Sequence, residues 1–361
     1  MRKIGNAFRF AVVLLAIGFM KSITSAQQRD SATTQPPPVT VGGFVDSYFS
    51  YNFARPTTHT NQLRNFDVTE NQFVVSTAEI TVQKTPAPIG FRIDADFGPG
   101  NDIVQSGVTG STSYLRQAYL TVVVPVGQGL SIDAGKFVTH CCYEVIPSKD
   151  NLNYSRSFLF AWSVPYYHVG ARASYPVSSA LGLNAYMYNG WNGAVPNSGK
   201  NFGFQANYSP AGSLSFTVNY LGGPTLPDSV NKTFRNVYEL IMIYSATDRL
   251  TFAANGVYGQ QELQSVSLWK GVAGYARYSL SDESSIAVRA EVFNDPEGYM
   301  TGTSQTLDEA TLTYEYRPFS NLILRGEFRN DWSTASSFDG DTGPLTRKTQ
   351  ATLAIGAVVV F

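Results

Sequence analysis

Beyond its first 26 residues, the 361-residue chain contains no apolar run close to the roughly 20 residues that a membrane-crossing helix requires. Helical insertion is thereby excluded, and any insertion must come through β-structure, whose signal per segment is weaker. Histidine is scarce: His59, His140 and His168 are the whole complement. Neither G-x-S-x-G nor H-E-x-x-H occurs, so these serine-hydrolase and zinc-protease signatures are missing. Cysteine is scarcer still, two neighbours, Cys141 and Cys142. Adjacent cysteines join only with strain, so no disulfide framework is indicated. Charged residues amount to 15%, with no Lys/Arg cluster, which speaks against a nucleic-acid partner.

The one apolar run stands at the start. Arg2, Lys3 and Arg9 precede Phe10 to Met20, and small residues follow, ending Thr24-Ser25-Ala26. This is the build of a secretory signal peptide spanning 1–26, cleaved after Ala26. Residues 27–38 then read as a flexible segment and 39–361 as one domain. No Cys follows the cleavage site, so a lipoprotein anchor is not expected. The leader holds four of the 26 Lys and Arg and no acid, leaving 22 basic against 27 acidic residues, a net charge of −5.

What the chain does have is alternation. In Phe91-Arg92-Ile93-Asp94-Ala95-Asp96-Phe97, apolar side chains at odd positions alternate with charges at even ones. A β-strand sends successive side chains to opposite faces, so such a segment has one apolar and one ionic face. Tyrosine and phenylalanine are abundant (21 and 23), which suits strands and also the aromatic girdles of a membrane barrel. The pattern predicts sixteen strands, near 39–53, 71–84, 90–97, 114–124, 130–139, 166–175, 183–190, 200–209, 213–221, 234–245, 250–259, 268–280, 285–294, 307–317, 321–331 and 348–361.

The connectors carry independent information. After even-numbered strands they are short and rich in Pro, Gly, Asp and Ser, as in Pro210-Ala211-Gly212 or Ala246-Thr247-Asp248-Arg249. After odd-numbered strands they are longer: Ala54 to Glu70, Gly98 to Ser113, His140 to Pro165, Trp332 to Arg347. A soluble sandwich has no reason to keep this parity. A transmembrane antiparallel β-barrel of about 16 strands does, with short periplasmic turns and long extracellular loops.

Facing follows. Ile286, Val288, Ala290 and Val292 share a face opposite Arg289 and Glu291; Leu322, Leu324 and Phe328 oppose Arg325, Glu327 and Arg329; Leu312, Tyr314 and Tyr316 oppose Glu309 and Glu315. A basic residue facing lipid at the midplane costs ~2–4 kcal/mol, so the charged faces should line the lumen. The predicted lining is Arg92, Asp94, Asp96, Arg289, Glu291, Glu315, Arg325, Glu327 and Arg329. Two strands resist this reading. The strand around Tyr238 to Ile243 is apolar on both faces, and Lys136 falls in phase with Ile132 and Ala134, which a bulge would repair.

Several stretches, in order, resemble the β-barrel porin-2 (OmpL-like) family of bacterial outer membranes. They are Gly43-Phe44-Val45-Asp46-Ser47-Tyr48-Phe49-Ser50-Tyr51-Asn52, Arg64-Asn65-Phe66-Asp67, Leu115-Arg116-Gln117-Ala118-Tyr119-Leu120, Ala134 to Thr139, Asn153-Tyr154-Ser155-Arg156-Ser157, and Arg289 to Gly302. The resemblance implies a porin-like channel in the outer membrane and carries no substrate motif with it. The last strand, ending at Phe361, looks like the segment by which outer-membrane assembly machinery recognises its clients.

By analogy with general porins, the loop from His140 to Pro165 would fold into the lumen and bring Glu144, Lys149, Asp150 and Arg156 toward the wall charges. Opposed acids and bases across a constriction would set selectivity. The acidic loop motif of general porins is not visible, and a surface loop with solvated charges is the competing reading. His140-Cys141-Cys142-Tyr143-Glu144 lacks metal-ligand spacing, which leaves reactive thiols as the expected property. Asp295-Pro296-Glu297-Gly298 is explained as a turn before it need be a cation site. His168, inward beside Arg172, has no partners to complete a catalytic triad, so it reads as a residue lining the lumen. The expectation is an outer-membrane barrel passing small hydrophilic solutes or ions by passive diffusion. No enzyme activity, cofactor or metal is expected, the partners are lipid, assembly machinery and solutes, and a homo-oligomer is left open. The alternative is a barrel enzyme of lipase or protease type, or an adhesion or scaffold barrel.

Overall fold

The structure, a computed structural model, describes residues 37–193, 198–225, 233–263 and 265–361. The expected signal peptide and nearly all of the segment 27–38 lie outside the described residues. Sixteen strands form the wall, nine to fifteen residues each. They are β1 (Val39–Asn52), β2 (Phe73–Lys84), β3 (Ile89–Phe97), β4 (Leu115–Val124), β5 (Leu130–Val138), β6 (Tyr167–Pro176), β7 (Leu181–Asn189), β8 (Asn201–Ala211), β9 (Leu214–Pro224), β10 (Phe234–Ser245), β11 (Leu250–Glu262), β12 (Val266–Ser279), β13 (Ser284–Asp295), β14 (Gln305–Phe319), β15 (Leu322–Ser333) and, closing the ring, β18 (Thr349–Val360). The remaining two strands, β16 (Phe338–Gly340) and β17 (Gly343–Arg347), make a small hairpin inside the last long loop, which the alternation pattern does not predict.

Every wall strand pairs antiparallel with its sequence neighbour, and β18 pairs with β1 from Phe44↔Val360 to Asn52↔Thr352. Closure leaves no strand edge, which a sheet in lipid requires. Three of the short turns share one build. The hydroxyls of Ser178, Thr247 and Ser281 each accept the backbone N–H groups two and three residues on, at 3.0 to 3.2 Å. These local bonds satisfy the amides that the ladder leaves open at the strand ends. Among the described residues no helix is long and apolar enough to cross a membrane.

The outer face carries the exposed apolar side chains, such as Ile286, Val288 and Val292 on β13 and Leu312 and Tyr314 on β14. The inner face carries the buried charges, with Arg289 and Glu291 on β13 and Arg325, Glu327 and Arg329 on β15. Both difficult strands have physical explanations. β10 turns Val237, Ile241 and Ile243 inward because the lumen beside it is filled by an apolar cluster rather than water. β5 has no bulge: its register with β4 and β6 is unbroken, and Lys136 stays in phase with Ala134. Its long stem instead carries the ammonium over the Tyr167 ring, 3.9 Å from the centroid, to donate to Gln105 Oε1 at 2.6 Å. This is the snorkelling that a flexible lysine permits.

Candidate functional site

The segment between β5 and β6, residues 139–166, does not lie on the surface. It enters the barrel and packs against the inner wall. Its apolar residues Cys141, Phe158, Leu159 and Val164 join wall residues Phe137, Val237, Val257, Trp269, Phe293 and Leu307 in one buried cluster within the lumen. A π-helical turn, Leu159–Ser163, forms the bend, and the Trp269 indole N–H donates to Ser163 O at 3.3 Å.

Chain without regular structure must find partners for its backbone amides when it is buried. Three wall carboxylates supply them in the same way. Glu327 accepts the N–H groups of Tyr154 and Ser155 at 2.6 and 2.9 Å. Glu291 accepts those of Phe158 and Leu159 at 2.7 and 2.5 Å. Glu239 accepts that of Cys142, at 2.9 Å to both oxygens, together with the side-chain amides of Asn219 and Asn255. Bonds from N–H to a charged acceptor are about twice as strong as neutral ones, so these pairs clamp the loop at three points.

Wall guanidiniums grip its carbonyls in the same manner. Arg325 donates to Ser148 O and Asn151 O at 2.6 and 2.7 Å. Arg329 donates to Arg156 O at 2.5 Å, and Arg289 to Ser155 O at 2.7 Å. On β1, Asp46 takes the hydroxyls of Ser148 and Tyr154 at 2.6 and 2.9 Å. Two glycines allow this close approach. A Cβ on Gly356 would stand 2.5 Å from the Tyr154 ring, and one on Gly203 would stand 2.7 Å from the His140 ring.

Of the predicted loop charges, only Glu144 meets a wall charge, pairing with Arg289 at 2.6 Å. Lys149 and Asp150 pair with each other at 2.8 Å. Arg156 turns back on the loop itself, donating to the carbonyls of Val145, Ile146 and Tyr154 and lying 4.7 Å over the Phe66 ring. Burial pushes its guanidinium pKa down. The wall charges also group among themselves. Arg289 pairs with Glu309, Arg329 with Asp331, and Arg325 with Glu315. Away from the loop, Arg92 pairs with Asp94 at 2.9 Å, and Arg116 bridges Glu79, Asp94 and Asp96.

Arg116 escaped the alternation pattern. Counting from Tyr119 places it with Ala118 and Leu120 on the lipid face. The β3–β4 register slips between Asp94 and Ala95, and that slip turns Arg116 inward. Asp46, Glu239 and Asp331 are also inward and were in phase, but nothing in the strand alone shows that a loop will come to meet them. The first long loop contributes too: Arg64 reaches Asp67 and Asp331 at 2.6 and 2.7 Å, and the Trp162 indole N–H donates to Leu63 O at 3.1 Å.

Two expectations about chemistry change. Cys141 is buried, and the Cys142 thiol donates to Asn255 Oδ1 at 3.4 Å. Burial, reinforced by Glu239, pushes both thiol pKa values well up, which disfavours the reactive thiolate at either position. His168 is fully buried, stacked on Tyr188 at 3.8 Å with Nε2 3.2 Å from Thr139 Oγ1, out of reach of any solute. At Asp295-Pro296-Glu297-Gly298, the Asp295 carboxylate accepts the amides of Tyr299, Met300 and Thr301, and the Gly298 N–H returns to Asp295 O at 3.1 Å. That is a capped turn. Among the described residues no three His, Cys, Asp or Glu side chains gather so as to hold a metal ion.

The sequence matches the family model described as "Putative beta-barrel porin-2, OmpL-like" over residues 38–361. No curated relative matches it. Among solved structures, the fold is similar to the anion-selective porin of Comamonas acidovorans (TM-score 0.63, 11% identity, 90% of this chain and 99% of that one). It is also similar to the outer-membrane channel DcaP of Acinetobacter baumannii (TM-score 0.60, 12% identity, 91% and 99%). A third is the trimer form of the Vibrio cholerae outer-membrane protein OmpT (TM-score 0.60, 12% identity, 91% and 100%). At these identities the likeness is one of fold.

Proposed function

The chain belongs to the OmpL-like β-barrel porin-2 family of outer-membrane channels, and from that premise we propose that it passes small hydrophilic solutes by passive diffusion, past a lumenal loop that sets the width of the path. The observation that carries this reading is the anchoring of residues 139–166 by Glu239, Glu291 and Glu327. Sixteen strands enclose more space than their own side chains fill, so a segment packed inside determines what remains open. The residues predicted as lining act in two ways under this proposal. Glu291, Arg289, Arg325, Glu327 and Arg329 hold the loop, while Arg92 stands toward the water-filled side.

Chemistry has no part in the proposal. His168 is sealed from solute, and selection is steric and electrostatic. The barrel end that carries the long loops faces outward, and the last strand, followed by Phe361, presents the assembly signal. Assembly as a homo-oligomer is the natural extension, given the trimer form of the similarly folded OmpT. The test is planar-bilayer recording of the refolded protein, with stepwise conductance expected. A folded barrel that inserts and gives no conductance would contradict the proposal and return the scaffold reading to the front.

A further inference from the structure

The inner wall separates its charges by depth. On the described barrel strands every inward carboxylate, from Asp46 on β1 to Asp331 on β15, is buried. The bases are not treated alike. Five wall arginines are buried, but Arg92, Arg172, Arg277 and Arg317 keep part of the side chain open. All four sit in the half of the barrel nearer the short turns.

In each of their ion pairs the base is the partner that reaches water. The Arg92 side chain is 34% exposed against 0% for Asp94, Arg172 25% against 8% for Asp133, and Arg317 43% against 8% for Glu315. Arg277 has no carboxylate within ion-pair distance among the described residues and donates to Ser279 Oγ at 3.2 Å. The carboxylates are also dressed by donors: Asp133 accepts Thr121 Oγ1 at 2.5 Å, and Asp94 accepts the Gln117 amide and the second arginine, Arg116. The wall between β6 and β9 adds no charge, being a ladder of amides and hydroxyls linked as Asn184 to Gln205, Gln205 to Asn219, and Thr217 to Asn207.

We propose that the channel prefers small anions, because the part of the lumen nearer the short turns presents guanidiniums to water and keeps their counter-charges behind them. The proposal rests on the diffusion-channel reading and gives it a substrate class. The formal charge of each pair is zero, yet an ion in the lumen meets the exposed pole first, and a narrow low-dielectric passage weakens screening of that pole. Two features oppose it. Lys149–Asp150 exposes its acid more than its base, 50% against 25%, and the turns carry Asp248, Asp282 and Glu283. The turn acids stand in bulk solvent, where fields fade within a Debye length of ~8 Å at physiological salt.

The test is the reversal potential of the refolded wild-type protein in a potassium chloride gradient, followed by two variants. Wild type is expected to favour chloride. Arg172→Gln with Asp133→Asn removes one pair without changing net charge, and is expected to move the reversal potential toward zero. Arg277→Gln, which leaves no carboxylate stranded, is expected to do the same and serves if the double variant does not fold. Potassium preference in wild type, or variants that leave the reversal potential unmoved, would overturn the proposal while the channel reading stood. A folded, inserted wild-type barrel without conductance would overturn both.

Discussion

Arg289 shows how far the inner wall departs from a water-lined pore. It is about 1% exposed and contacts Glu309, Glu144 and the carbonyl and hydroxyl of Ser155. A buried ion pair adds little net stability over a well-packed apolar replacement, because desolvation offsets the Coulomb gain. Removal of one partner is different, since it strands a charge. Arg289→Met should therefore destabilise the folded barrel by about 3–5 kcal/mol, read as a lower unfolding midpoint in detergent. A midpoint within ~0.5 kcal/mol of wild type, the range typical of surface substitutions, would mean that Glu309 and Glu144 are solvated and the loop does not seal them. The residue type and its inward phase were legible in the sequence from the alternation Ile286 to Val292. Its partner Glu144 was legible only as a loop charge, because contacts between residues 145 positions apart in the chain leave no local periodicity.

The strands were readable because lipid on one side and polar groups on the other force a period of two, which β13 and β15 obey along their length and β14 as far as Tyr316. The exceptions occur where that environment fails. β10 sends apolar Val237 and Ile243 inward beside Glu239 because the β5–β6 loop brings Phe158, Leu159 and Cys141 into the lumen beside it. β4 hides Arg116 because one bulge reverses the phase. Neither a filled lumen nor a register slip is written in a single strand. The loop element is held by both clamps and packing, and the packing part can be isolated. Leu159 is fully buried in the lumenal cluster, so Leu159→Ala should cost about 2–5 kcal/mol, as for other large-to-small changes in a core. Denaturant unfolding followed by tryptophan fluorescence checks this, with Trp162 and Trp269 close by as reporters. An unchanged midpoint would show that the loop rests on the wall without packing into it.

At the scale of the whole molecule, a closed sixteen-stranded wall carries a second, smaller core inside it, and the path for solutes is what the two leave between them. The wall could be read from alternation and connector parity; the width of the path could not, because it depends on where one loop comes to rest. Glu291 and Glu327 each hold two successive backbone amides of that loop, so changing both to glutamine removes two charged anchors and keeps the shapes. The most direct measurement is the single-channel conductance of Glu291→Gln/Glu327→Gln beside wild type in the same salt, with a heat-modifiable band on gels showing that the barrel has closed. The expected result is larger conductance steps with a noisier open level. Steps of the same size as wild type from a closed barrel would contradict the account.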